Sequence, residues 1–202
     1  MNYRITPAIL IITLFSIFVT SCASTRVIDS WKDESYKGRN KIIAVIMVAK
    51  NDHNRKMFEG RFAAELNARG NSALQSNKFI TLEQLSNREE VKSKIKETDA
   101  DTVLISRLVD SKAIEAYTPG KAHFIPTGYN NWDSYYELIF VDYGYTSNTE
   151  IAYIETNLYD IKTEQLVWSA RSKTERTEGE QQLINTFIDV IVKKLSSDNI
   201  IK

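Results

Sequence analysis

Between Lys41 and Lys50 the chain reads Ile42-Ile43-Ala44-Val45-Ile46-Met47-Val48-Ala49, an apolar run without a break. A strand with one wet face alternates apolar and polar residues, and this run does not. Its length and its Ile/Val content predict a strand buried on both faces, as in a parallel sheet covered by helices. The rest of the fold has to be arranged around that strand.

The chain after it supplies the cover. Asn51 or Asp52 can cap a helix, the side-chain oxygen accepting backbone N–H bonds. Phe58, Phe62 and Leu66 then recur every four residues, and Gly70 falls at the helix end. A short strand near Ser72–Gln75 completes a βαβ unit. A second helix is expected from about Asn87 to Thr98, with Asn87 as cap and Val91 and Ile95 inward, followed by a central strand over 101–109.

The pattern changes after that. From Tyr117 to Tyr145 lie all but one of the prolines and a dense set of aromatics, among them Tyr129, Trp132, Tyr135 and Tyr136. The first half of this stretch reads as a long loop and Ser134 to Val141 as a strand; long loops inside a domain are often functional. Glu150 to Asp160 alternates, with Ala152, Ile154 and Leu158 on one face and Tyr153, Glu155, Asn157 and Tyr159 on the other. That predicts a half-solvated antiparallel strand, whose outer face suits water better than lipid and argues against a membrane pore. Asp160–Glu164 turns the chain into a partner strand, Gln165–Ser172, with Leu166 and Trp168 on one face and Val167 on the other. Thr177-Glu178-Gly179-Glu180 matches a capping box and opens the strongest helix signal, Leu183, Ile184, Phe187, Ile188, Ile191, Val192 and Leu195. The expected architecture is one α/β domain, residues 41–202. It has a mixed sheet, early βαβαβ crossovers, late antiparallel strands and a C-terminal helix packed on the sheet.

The amino terminus carries different information. Residues 1–21 divide as a secretory signal does: Arg4 near the start, an apolar run from Ala8 to Val19, then the small residues Thr20 and Ser21. The run is shorter than the roughly 20 residues a membrane-spanning helix needs. Val19-Thr20-Ser21-Cys22 resembles the bacterial lipobox and holds the only cysteine among 202 residues. The resemblance implies that Cys22 becomes the first mature residue, bearing a diacylglyceryl thioether and a further acyl chain such as palmitate on its amine. Two or three chains anchor firmly, whereas one is marginal, each buried methylene contributing about 0.8 kcal/mol. Ala23 and Ser24 follow in place of an inner-membrane retention aspartate, so the periplasmic face of the outer membrane is the expected location. Residues 22–40 read as a lipidated start and polar tether that ends by docking, in which Val27 and Ile28 could form an edge strand and Trp31 a packing anchor.

Acidic and basic residues number 26 each, and only Arg4 lies within the signal. The mature chain is thus one charge from neutral and offers no basic field for nucleic acid. The two histidines, His53 and His123, are far apart and no metal site is expected. There is no G-x-S-x-G elbow, G-x-G-x-x-G or Walker loop, so neither catalytic residues nor cofactors are expected. The acidic neighbours Glu89/Glu90 and Asp99/Asp101 read as solvated helix ends.

Ser30-Trp31-Lys32-Asp33, and Asn157-Leu158-Tyr159-Asp160 followed by Leu166-Val167-Trp168-Ser169, together with the lipobox, resemble a family of bacterial lipoproteins without assigned function. The resemblance covers nearly the whole mature chain and implies a fold similar to the curli secretion lipoprotein and the amino-terminal α/β domain of TolB. The family's Asp-Pro is Asp33-Glu34 here, and its hairpin glycine is Glu164. No catalytic residue carries over. The functional expectation is a non-enzymatic, lipid-anchored binding or envelope-assembly module; the alternative is an oligomerising structural or secretion-associated subunit. Tyr129, Trp132, Tyr135 and Tyr136 read either as a flap over the sheet or as a surface for a glycan or envelope protein.

Overall fold

The computed structural model describes residues 25–37, 42–109, 131, 151–175 and 180–202. Six strands and three helices are seen among them: β1 (Thr25–Lys32), β2 (Ile42–Val48), α1 (Asp52–Ala68), β3 (Ser72–Gln75), α2 (Arg88–Lys96), β4 (Thr102–Val109), β5 (Ile151–Asp160), β6 (Leu166–Glu175) and α3 (Glu180–Ser197). They form one sheet in the order β1-β6-β5-β4-β2-β3. β2 is parallel to β3 and β4, and the remaining pairs are antiparallel. The expected mixed-sheet α/β fold is the one observed.

Local chemistry sets the helix limits. The Asn51 side chain accepts from His53 N and Asn54 N, and Asp52 adds a negative charge in the first turn of α1. The helix ends in a Schellman motif, with Asn71 N donating to Leu66 O, Gly70 N to Asn67 O, and Gly70 at φ 77°. Asn87 caps α2 in the same way. α3 closes on Asn199, at φ 57°, where Ile200 N reaches Leu195 O and returns Ile200 and Ile201 to the core. The capping box expected at 177–180 falls largely outside the described residues.

Both faces of the sheet are covered, which is why Ile43, Ala44, Val45 and Ile46 are all fully buried. On one face α1 and α3 lie side by side, Phe58 meeting Phe187 at 5.5 Å between ring centres, over Ile43, Val45, Leu104, Leu158 and Trp168. On the other, α2 and two short 3₁₀ turns bring Val91, Ile95, Ile80 and Leu85 onto Ala44, Ile46, Val103, Ile105 and Tyr159.

Three expectations change. The edge strand expected only at Val27 and Ile28 is longer, running from Thr25 to Lys32 along β6. The second face of β5 is not solvated: Glu155, Asn157 and Tyr159 are all buried. The water-facing argument against a pore therefore falls away, because alternation marks polarity and not exposure. Finally, Leu166 and Trp168 point to opposite faces. The register slips between Leu158 and Tyr159, so Val167 joins Trp168 in the α1/α3 core while Leu166 enters the other.

Candidate functional site

Cys22, Tyr129, Trp132, Tyr135 and Tyr136, the residues singled out by sequence, lie outside the described residues, as does the strand expected at 134–141. Asn131, between Tyr129 and Trp132 in sequence, is described, and forms an isolated antiparallel bridge with Gln165 at the start of β6. Asn131 thus lies at the Gln165 end of the sheet, opposite the end at which Val109 pairs with Tyr153.

Two charged clusters that sequence reasoning passed over are built on the sheet. The first is a cross-strand row on the α2 face, in register from β1 to β4: Asp29, Arg171, Glu155, Arg107. Signs alternate along it, the arrangement that favours neighbouring strands. Glu155 is 1% exposed, with Oε2 at 3.2 Å from Arg171 Nε and Oε1 at 3.7 Å from Arg107 Nε. Asn157 Nδ2 donates to Glu155 Oε1 at 3.1 Å, and Ser169 Oγ to Asn157 Oδ1 at 2.6 Å. Asp29 Oδ1 accepts Ser30 N, while its buried Oδ2 has no hydrogen-bond partner. The sequence signal was present but weak: a polar residue at every second position of β5, with the nearer arginine of Glu155 lying 16 residues away in the chain.

The second cluster is centred on Glu59. Its Oε1 accepts from Arg55 Nε, Met47 N and Ser76 Oγ, and its Oε2 from Asn77 N and Asn77 Nδ2, at 2.7–3.0 Å. Arg55 and Glu59 are 0% exposed, and Arg55 Nη2 also reaches Ser76 Oγ. Arg55 Nη1 is buried without a hydrogen-bond partner. One carboxylate thereby ties α1 to the edge of β2 and to the turn after β3. The detectable signal was an Arg/Glu pair four residues apart on the same stripe as Phe58 and Phe62.

The Glu59 carboxylate takes five hydrogen bonds from its own chain and acts as a fastening; Glu155 takes two and ties neighbouring strands together through Arg171 and Arg107. The acidic neighbours have similar structural work: Asn87 caps the Glu89 and Glu90 amides, and Asp101 Oδ2 accepts Ile42 N. Glu164 has its carboxyl pulled down chiefly by a hydrogen bond from Lys92, with Lys96 adding to it. Those three residues, with Ile95 and Ile161, line a small surface dimple between α2 and the β5–β6 turn. Among the described residues no group of three or more His, Cys, Asp or Glu converges as a metal site, and no helix is long and apolar enough to cross a membrane.

The fold and these clusters define a single α/β domain whose charged interior is fastened internally. No protein-family model matches the chain, and no curated protein matches it in sequence. Among solved structures it is similar in fold to the PelC dodecamer from Paraburkholderia phytofirmans, with 13% identity over 85% of this chain and 96% of that one and a TM-score of 0.44. It is also similar to lipoprotein GNA1162 from Neisseria meningitidis, with 13% identity over 77% of this chain and 96% of that one and a TM-score of 0.39. At such identities the likeness is one of fold.

Proposed function

We propose that this protein is a lipid-anchored component of the bacterial cell envelope, acting without catalysis as a binding or assembly module. It would sit at the periplasmic face of the outer membrane. The observation that carries this reading is Val19-Thr20-Ser21-Cys22, which ends an apolar run too short to span and contains the only cysteine. The carboxylate of Glu59 supports the non-catalytic part, since its five hydrogen bonds all go to holding the fold. Recognition would fall to the aromatic stretch, with Tyr129 and Trp132 flanking Asn131 and Tyr135 and Tyr136 close behind. Tyrosine and tryptophan are the residues most enriched at binding hot spots, and a glycan or an envelope protein is the class of partner they fit.

Two measurements test this. Cys22→Ser should abolish metabolic lipid labelling and leave an uncleaved precursor; normal labelling of that variant refutes the anchor. Alanine at Tyr129, Trp132 and Tyr135 together should leave the melting temperature nearly unchanged and reduce partner recovery from the envelope. A large melting shift with unchanged recovery would make the stretch a flap. Mass measurement of the unlipidated domain in solution separates a monomeric or dimeric module from a large assembly.

A further inference from the structure

We infer that the corner of the sheet at the start of β1, carrying Arg26 and Ile28, packs against the headgroup layer of the bilayer that holds the anchor. The inference rests on lipidation of Cys22 and adds to it a membrane-facing surface and an orientation. Only three peptide units separate Cys22 from Thr25, a span of at most about 11 Å. Thr25 cannot pay out more chain. It is 3% exposed, its Oγ1 lies 2.9 Å from Thr174 Oγ1 and 3.3 Å from Thr186 Oγ1, and its backbone is in register with Thr174. A lipid on Cys22 therefore holds this corner at the membrane surface, with no slack for the domain to swing clear.

The side chains at that corner suit the position. Ile28 is 43% exposed, the only exposed large hydrophobic residue among those described, and it sits at the irregularity between Val27 and Asp29. Arg26 is exposed two residues earlier, opposite Lys173 in register. An apolar side chain beside basic ones matches the boundary between acyl chains and phosphates. The irregularity also disrupts β1 as a template for another strand, which favours lipid over a second copy as the occupant. The β5–β6 turn lies at the opposite end of β6. Nine residues separate Thr174 from Gln165, about 30 Å of strand, so Gln165 and the Asn131 bridged to it face away from the membrane.

The lone cysteine makes the test direct, because its lipidated sulfur is a thioether with no thiol to label. The full lipidated protein is placed in vesicles of phosphatidylethanolamine and phosphatidylglycerol. Ile28→Cys and, at the exposed far turn, Lys162→Cys are each labelled with a fluorophore and exposed to a lipid-borne quencher. The expected result is quenching several-fold stronger at position 28 than at position 162. Equal quenching on membrane-bound, lipidated protein overturns the orientation and leaves the anchor standing. Uptake of label by the unsubstituted protein would reveal a free Cys22 thiol, and would remove the anchor and this inference together. Arg26→Cys serves as a second near position and should report the same contrast; failure of both near positions to differ from 162 overturns the proposal.

Discussion

Trp168 Nε1 donates a 2.8 Å hydrogen bond to Asp198 Oδ2, joining β6 to the residue that follows α3. Asp198 is also reached by Lys194 Nζ at Oδ1, and by Lys32 Nζ at its backbone carbonyl. Lys32 and Trp168 are register partners, and Asp33 N donates to Val167 O. The two short motifs that marked the chain in sequence thus meet at one helix end. Trp168 is fully buried, so Asp198→Ala leaves an indole N–H without an acceptor and should lower stability by about 1–3 kcal/mol. Asp198→Asn keeps an acceptor and should cost less. Urea denaturation of the two variants gives the comparison.

Glu59 should be the least replaceable charged residue. Glu59→Ala strands Arg55 as an uncompensated buried cation, which typically costs about 3–5 kcal/mol. Replacing Arg55 and Glu59 together with methionine removes both charges but still leaves Met47 N and Asn77 N without their acceptor. The double variant should therefore recover only part of the loss. Full recovery in a denaturation cycle would show that the ion pair alone matters.

Truncation before Glu180 deletes Ile184, Phe187, Ile188, Ile191, Val192 and Leu195 from the larger core. At about 1.5–3 kcal/mol for each buried side chain, the loss exceeds much of the roughly 5–15 kcal/mol that holds a domain together. The shortened chain should show no cooperative thermal transition by calorimetry.

Alkaline stability should depend on Tyr36. Its phenol is pushed up from 10.0 to about 12, first by burial and then by the charges of Asp160 and Asp101. A raised folded value means the folded state holds the proton more tightly. The contribution is complete below the unfolded value and disappears as pH rises through the window from 10.0 to about 12. Tyr36→Phe keeps the ring against the core and should flatten stability against pH in that window. An unchanged slope would contradict the assignment.

How much was readable in advance depended on the range of the interactions. Elements set by neighbours in sequence came out within a residue or two: Asn51 and Asn87 as caps, Gly70 as the turn, Phe58, Phe62 and Leu66 as the inward stripe. What depended on distant partners did not. Glu155 reads as a wet-face residue until Arg107 and Arg171 are placed beside it. β1 shows in sequence only as Val27 and Ile28, and its full length appears once β6 is laid along it. Glu164 is intermediate. The turn there was legible in sequence, but not its φ of 62°, where a side chain in the left-handed region costs roughly 1–2 kcal/mol. Its ion pairs with Lys92 and Lys96 across to α2 offset part of that cost and could not be foreseen from spacing. The aromatic stretch was visible from composition alone, which says that Tyr129 and Trp132 are concentrated there but not what they touch.

The pairing of Thr25 with Thr174, 149 residues apart, has a consequence for the order of events in the cell. A chain that emerges amino terminus first, from a ribosome or through a translocation pore, delivers β1 at the outset and its partner strand almost last. The parallel unit from β2 to β4 can close in the meantime, because its contacts are local by comparison. Throughout that interval the first strand waits for the partner it has in the finished sheet. Docking of β1 is then the step that completes the sheet, and it has to wait for nearly the whole chain.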